Sequence, residues 1–192
     1  TFVGSSFLGV EDSMATATMS HPGGPGSLGL LISDDAKVFG VPLQQGLAAS
    51  GIVKGTLNYD QFVRDWQTVI DAGDPISYAA AAAGNTPINA HQVLFDQAVV
   101  NEATVAWSRA AGLTEATVPG AADPAGIRAL VTFDQGGHAS ILDPSAEVRD
   151  VDSGELLSPP NPLVTVEMQT QAVSFAVTNG TQLPVNCTGS DC

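Results

Sequence analysis

Basic residues are the scarcest feature of this 192-residue chain: 6 Lys and Arg stand against 20 Asp and Glu, a formal charge of -14. Such a surface does not neutralise phosphates, which argues against nucleic acid and anionic membranes as partners. Long apolar runs are missing too. No stretch approaches the ~20 residues needed to cross a bilayer, and Thr1 opens the chain without the basic lead of a signal peptide. Cysteine is confined to Cys187 and Cys192 in the terminal NCTGSDC. The short spacer permits a disulfide loop, which implies an oxidising compartment; two free thiols on a frayed tail is the alternative.

A serine placed for nucleophilic catalysis is also missing. Pro25-Gly26-Ser27-Leu28-Gly29 nearly spells G-x-S-x-G, but proline takes the first glycine's place and no strand runs into it. Ser27 therefore reads as a loop serine. Asp150-Val151-Asp152-Ser153-Gly154-Glu155 superficially suggests a calcium loop. It lacks the third oxygen ligand before the glycine and the glutamate at the twelfth position. It is read as a solvated turn, and no metal or cofactor is expected. Thr1 as an N-terminal nucleophile would need an αββα sandwich, which the pattern below does not suggest.

What is present is the composition of one globular domain, 44% hydrophobic and 14% charged, with enough length for a real core. Residues 1–9 look like the interior of an element. A short buried strand over 13–19 is closed by His21-Pro22-Gly23-Gly24, where His21 either lines a site or caps the strand end. Residues 28–83 form a helical excursion, with one short helix between Val41-Pro42 and Ser50-Gly51, Pro42 near its start and Gly51 past its end. A second carries Tyr59, Phe62, Val63, Trp66, Val69 and Ile70 as one stripe, Asn58 as its cap and Gly73 as its end. That stripe is either core packing or a lipid-facing lid surface.

Next come a strand over 88–95, ending at Asp96 with His91 packed mid-strand, and a helix burying Ala103, Ala106, Trp107, Ala110 and Ala111. A Pro/Gly/Ala linker over 118–126 leads to ALVTFDQGGHASIL, residues 129–142. There a strand stops at Gly136-Gly137 and presents His138. An irregular acidic loop over 143–162 precedes a last helix over 165–177 with Met168, Ala172, Phe175 and Ala176 on one face. Strands alternating with helices predict an α/β fold: a parallel sheet flanked by helices. Working residues then belong at the carboxyl ends of strands, where His21, Asp96 and His138 lie.

Imidazole titrates in the range useful for general acid–base work, and a carboxylate before a histidine is the acid-then-base order of α/β-hydrolases. Asp134, nearer in sequence, is the backup acid. Asp96 as N-cap of the following helix, in competition with Asn101, and His138 as a simple strand-end cap are the plainer alternatives.

FDQAVVNEATVAWSRAAGL resembles the acid-loop segment of bacterial α/β-hydrolase lipases, and DQGGHASILDP followed by VEMQTQAVSFAVTNG resembles their histidine loop and C-terminal helix. With LNYDQFVRDWQTVIDAGDPISYA and ATATMSHPGG, these segments resemble extracellular lipases of the Pla-1/cef type from marine and aquatic bacteria. The resemblance implies that residues 1–192 are the C-terminal part of one α/β-hydrolase domain, with a lid or cap within about 28–83 and a tail over 181–192. It implies His138 as general base and acid, Asp96 as orienting acid, and a nucleophile upstream of Thr1 in a missing N-terminal half. The implied substrate is a lipid or acyl ester. The implied location is extracellular, or the outer cell surface of a bacterium, and the isolated 192 residues would be inactive. The rival expectation is an acidic secreted binding or surface module that keeps a hydrolase-like fold without catalysis.

Overall fold

A computed structural model describes residues 2–117 and 128–186. The linker over 118–126 and the Cys187–Cys192 pair lie outside the described residues. The elements run α1 (Phe2–Val10), β1 (Ala17–Ser20), a π-helical turn (Leu28–Ile32), α2 (Gly40–Ala49), α3 (Leu57–Ile70), α4 (Pro75–Asn85), β2 (Ile88–Val93), α5 (Asn101–Ala110), β3 (Thr114–Thr117), β4 (Arg128–Phe133), β5 (Val148–Arg149), β6 (Leu156–Ser158) and α6 (Pro162–Val177). Four strands form one sheet in the order β1-β2-β4-β3, every neighbouring pair parallel. β5 and β6 form a separate antiparallel pair inside the acidic loop.

The alternation of β2 and β4 explains why the sheet is covered on both sides. On β4, Leu130 joins a core layer with Leu8, Met19, Ala82, Ile88, Ala90 and Trp107. Ala129, Val131 and Phe133 join the opposite layer with Val164, Met168 and Phe175 of α6. All six residues of β2 are buried, as expected for a central strand of a parallel sheet with both faces packed. On the first face, fully buried Trp107 donates its indole N–H to Ser5 Oγ at 2.9 Å, and Ser5 donates to the Pro75 carbonyl at 2.9 Å. One aromatic side chain thus ties α1, α4 and α5 together.

Several local readings change. α3 is capped by Thr56, whose hydroxyl accepts from Tyr59 N–H, and Asn58 lies inside the helix. Thr56 holds the extended backbone that a cap requires, one residue before the helix begins. Of the α3 stripe Tyr59 is buried, Phe62, Val63, Trp66 and Ile70 are half-buried, and Val69 is 79% exposed, so the stripe is packed along most of its length. In α5, Thr104 and Ser108 are buried where Ala106 and Ala110 were expected. α6 starts earlier, with Asn161 capping Leu163 N–H and Pro162 in the first turn. β3 follows α5 directly and had no counterpart in the sequence reading.

The face of β2 toward α6 holds a buried polar chain. His91 Nε2 lies 3.0 Å from Gln171 Oε1 and 3.0 Å from Asn89 Nδ2, and Gln171 donates to Glu167 Oε1 at 2.8 Å. Burial pushes the His91 imidazole down to about 4, and burial does the same to His21. A histidine depressed in the folded state favours folding above its unfolded value and loses that contribution as pH falls toward the folded value. Stability is therefore expected to drop between about pH 6.5 and pH 4, by up to roughly 3 kcal/mol per histidine. The check is urea unfolding at pH 7 and pH 5, with a lower midpoint at pH 5 and a shallower pH slope in His91→Leu.

Candidate active site

The three loops at the carboxyl ends of β1, β2 and β4 meet at one place because the register aligns those ends. Ser20 pairs with His91, and Val93 with Phe133. His21 N–H then reaches the His91 carbonyl at 2.7 Å, and Leu94 N–H the Phe133 carbonyl at 2.8 Å. The backbone turns sharply in each loop. His21 and Phe95 have φ of +49° and +64°, a left-handed conformation that costs non-glycine residues on the order of 1–3 kcal/mol. After β4, Gly136 supplies φ +96°. A Cβ on Gly137 would meet the Glu147 carbonyl oxygen at 2.6 Å, so this glycine is required by close backbone approach. Gly137 N–H donates to Ser140 Oγ at 2.7 Å, and the next residue, His138, projects from the fixed turn.

His138 Nδ1 lies 2.7 Å from Asp96 Oδ2. The other carboxylate oxygen, Oδ1, accepts Ala98 N–H at 2.8 Å and Val99 N–H at 3.2 Å. Asp96 is 3% exposed, while the His138 side chain is half-exposed. Asp96 is thus not the cap of α5: that helix starts at Asn101, and Asn101 itself donates to the Val93 carbonyl at 2.8 Å and to Gln92 Oε1 at 3.1 Å. Asp134 is exposed and its backbone carbonyl accepts Ser158 Oγ. Ser27 sits in the loop after Gly24-Pro25, its N–H bound to Gln67 Oε1 at 2.9 Å.

The electrostatics follow from this asymmetry of exposure. Burial pushes the Asp96 carboxyl up, but the bond to His138, that imidazole's charge and the Ala98 N–H outweigh it and hold it below its ordinary value. The Asp96 bond raises His138, against a smaller opposing effect of burial. The carboxylate is therefore ionised and the imidazole is an enhanced base, as a histidine oriented by a buried acid should be.

His21 is the third member of the cluster. Its ring centre is 4.7 Å from that of His138, tilted by 37°, and its Nε2 is 3.6 Å from Asp96 Oδ2. The ligand atoms of His21, Asp96 and His138 all lie within 4.8 Å of one another, a two-histidine, one-carboxylate set of the type that binds zinc. However, Asp96 and His138 are in direct hydrogen-bond contact, and His21 Nε2 accepts Val93 N–H at 3.1 Å. An ion would have to part the first pair and displace a buried amide from the second. The set reads as an acid–base cluster.

Comparison with protein-family models, curated proteins and solved structures finds no match.

An apolar cavity of about 380 Å³ is bounded in part by the segments that follow His21 and Asp96 in the chain. Its walls include Gly23, Gly24 and Gly26 from the loop after His21, Phe39 and Leu43 from the start of α2, and Ala98 and Val99 from the loop after Asp96. Below it the helical excursion is tied to the acidic loop. Lys37 Nζ binds Asp150 and lies 2.9 Å from Asp152, while Val151 N–H donates to Gln97 Oε1 at 3.1 Å. The 150–155 segment is a turn, as expected, but Lys37 keeps Asp150 largely out of solvent. The cavity walls come from two nearby stretches within residues 23–43 and a third beginning at Ala98, and no local motif announces them.

Titrating the imidazoles by two-bond ¹H–¹⁵N NMR tests the dyad directly. His138 is expected to titrate above an ordinary histidine, and Asp96→Asn to return it to or below that value. Equal titration of His138 in both proteins would break the assignment.

Proposed function

We propose that this chain carries the acid and the base of a serine-type carboxylic ester hydrolase, a lipase or esterase acting on acyl esters. The observation that carries the reading is the 2.7 Å bond from a buried, doubly anchored Asp96 to the half-exposed His138. In this reading His138, held by Asp96 through Nδ1, uses Nε2 to take the proton of an attacking serine hydroxyl and later returns it to the leaving alcohol. Water activated by the same imidazole then hydrolyses the acyl-enzyme. Asp96 fixes the ring's orientation and stabilises the imidazolium. The order acid then histidine, each after a parallel strand, agrees with the α/β-hydrolase arrangement that the sequence resembles.

Among the described residues no serine hydroxyl is bonded to His138, and the proposal assigns the nucleophile to a segment upstream of Thr1. Two features support further chain on that side. β1 is the end strand of the sheet, and α1 leaves Val3, Phe7 and Val10 exposed, at 83%, 47% and 75%. The apolar cavity supports an acyl substrate: its size lies near the low end of small-molecule sites, about 300–1,000 Å³, which suits one acyl chain. The acidic surface and the expected Cys187–Cys192 disulfide support a secreted bacterial enzyme. No helix among the described residues is long and apolar enough to cross a membrane.

The test is hydrolysis of p-nitrophenyl acyl esters by the intact protein that includes the upstream segment. His138→Ala and Asp96→Asn are each expected to lower kcat/KM by about 10⁴-fold, and the 192-residue chain alone is expected to be inactive. Because the base must be unprotonated and its value is raised, the ascending limb of the pH–rate profile should lie above that of a free imidazole, about 6.5. Near-full activity in both variants would sink the triad and leave the non-catalytic binding module.

Cavity lining gives a separate expectation. Gly29 faces Ala103, with 3.6 Å between a Cβ built there and the Ala103 Cβ, so a leucine side chain would extend into the space. Gly29→Leu should shift the decanoate-to-acetate ratio of kcat/KM toward acetate by about tenfold or more, the scale of lost methylene-sized pocket contacts. An unchanged ratio would place the acyl chain elsewhere.

A further inference from the structure

His21 sits against both members of the dyad, and its hydrogen bonds leave it one protonation state. A backbone amide can only donate, so Val93 N–H at 3.1 Å requires an unprotonated Nε2. The ring proton is then on Nδ1, where Ser20 Oγ accepts it at 2.9 Å. The ring is fully buried, and burial favours the neutral form, pushing the group down to about 4. His21 Nε2, 3.6 Å from Asp96 Oδ2, thus has no proton to offer the carboxylate, and its lone pair is engaged by Val93 N–H.

We propose that His21 is a positioning residue for the Asp96–His138 pair, a neutral imidazole clamped by Ser20 and Val93 that leaves the carboxylate one imidazole donor to serve and the His138 ring one orientation.

Two physical effects carry this. A histidine with a proton on Nε2 would be a second donor aimed at the oxygen that binds His138. The clamp removes that competitor, because Val93 N–H and Ser20 Oγ together hold the proton on Nδ1. The His21 ring also covers one face of the His138 ring at 4.7 Å, limiting rotation about its side-chain bonds, and helps keep Asp96 at 3% exposure, where its bond to His138 is least weakened by water. The groups facing His21 are Asp96 from the loop after β2, His138 from the loop after β4, and His91 on β2 itself. Of these only Asp96 is negative, and it is committed to His138. A strand-end cap alone would need only the His21 backbone N–H, already bound to the His91 carbonyl.

The consequence for catalysis rests on the ester-hydrolase reading, but the measurement does not, because it reads protonation in the chain without turnover. Two-bond ¹H–¹⁵N NMR of the 192-residue protein reports the tautomer and titration of each imidazole. The expected result is a neutral His21 with its proton on Nδ1 throughout the range in which His138 titrates. His21→Asn removes the ring while tolerating the left-handed backbone, and should lower the proton affinity of His138 by about tenfold, one unit. Ser20→Ala keeps the ring but removes the acceptor for Nδ1–H, one of the two bonds that hold it, and should loosen the clamp and shift His138 in the same direction.

A wild-type His21 found protonated on Nε2, or charged near neutral pH, overturns the proposal. So does an unchanged His138 titration in a His21→Asn protein with a native-like amide spectrum. If that variant does not fold, an unchanged His138 in Ser20→Ala overturns it equally. Loss of esterase activity without these shifts would count against the proposal while leaving the dyad intact.

Discussion

A carboxylate taken out of water loses more than a single hydrogen bond returns, and the loops at the end of the sheet are arranged around that cost at Asp96. One oxygen is held by two backbone amides of its own loop, and the other by an imidazole from a different strand. The first pair of bonds is local and requires the chain to turn at Phe95 in a left-handed conformation. The third is long-range and requires β2 and β4 to end level with each other, which their parallel register ensures. Remove either and the buried charge is left partly unpaired, so the acid, its loop and the histidine turn stand or fall together.

The same constraint explains the glycines after β4. For His138 to meet an acid buried at the sheet end, its turn must pass within van der Waals distance of the Glu147 backbone and fold back under Ser140, positions that a Cβ at Gly136 or Gly137 would occupy. Burial on one side and exposure on the other is what makes the pair chemically useful. Asp96 stays ionised because its partners outweigh desolvation, and the His138 side chain stays half-exposed to solvent. The cavity is bounded by the segments that follow His21 and Asp96, so two members of the cluster and the apolar walls come from the same turns.

The polar interior on the other face has a different character. Asn89, His91 and Gln171 are buried with Glu167 between β2 and α6, and the Asn89 Oδ1 and His91 Nδ1 atoms have no hydrogen-bond partner among the described residues. Unsatisfied buried groups of this kind cost stability, and burial holds both His21 and His91 well below the ordinary value of an imidazole.

Much of this was legible in the sequence because it depends on local chemistry. The runs at β2 and β4 and the stripes of α5 and α6 mark a parallel α/β sheet by hydrophobic period alone. Gly136-Gly137-His138 and Phe95-Asp96 mark loops at strand ends because glycine and a strand-terminating acid act within a few residues. The cap of α3 at Thr56 and the added strand β3 were misplaced or missed, since competing caps and a four-residue strand differ by little locally. What only the tertiary structure decided was which residues meet: that Asp96 and not Asp134 reaches His138, that His21 packs against both, and that Lys37 ties the helical segment to the acidic loop. These follow from strand register and from contacts 40 to more than 100 residues apart, and no periodicity within a strand or helix encodes the register of its neighbour.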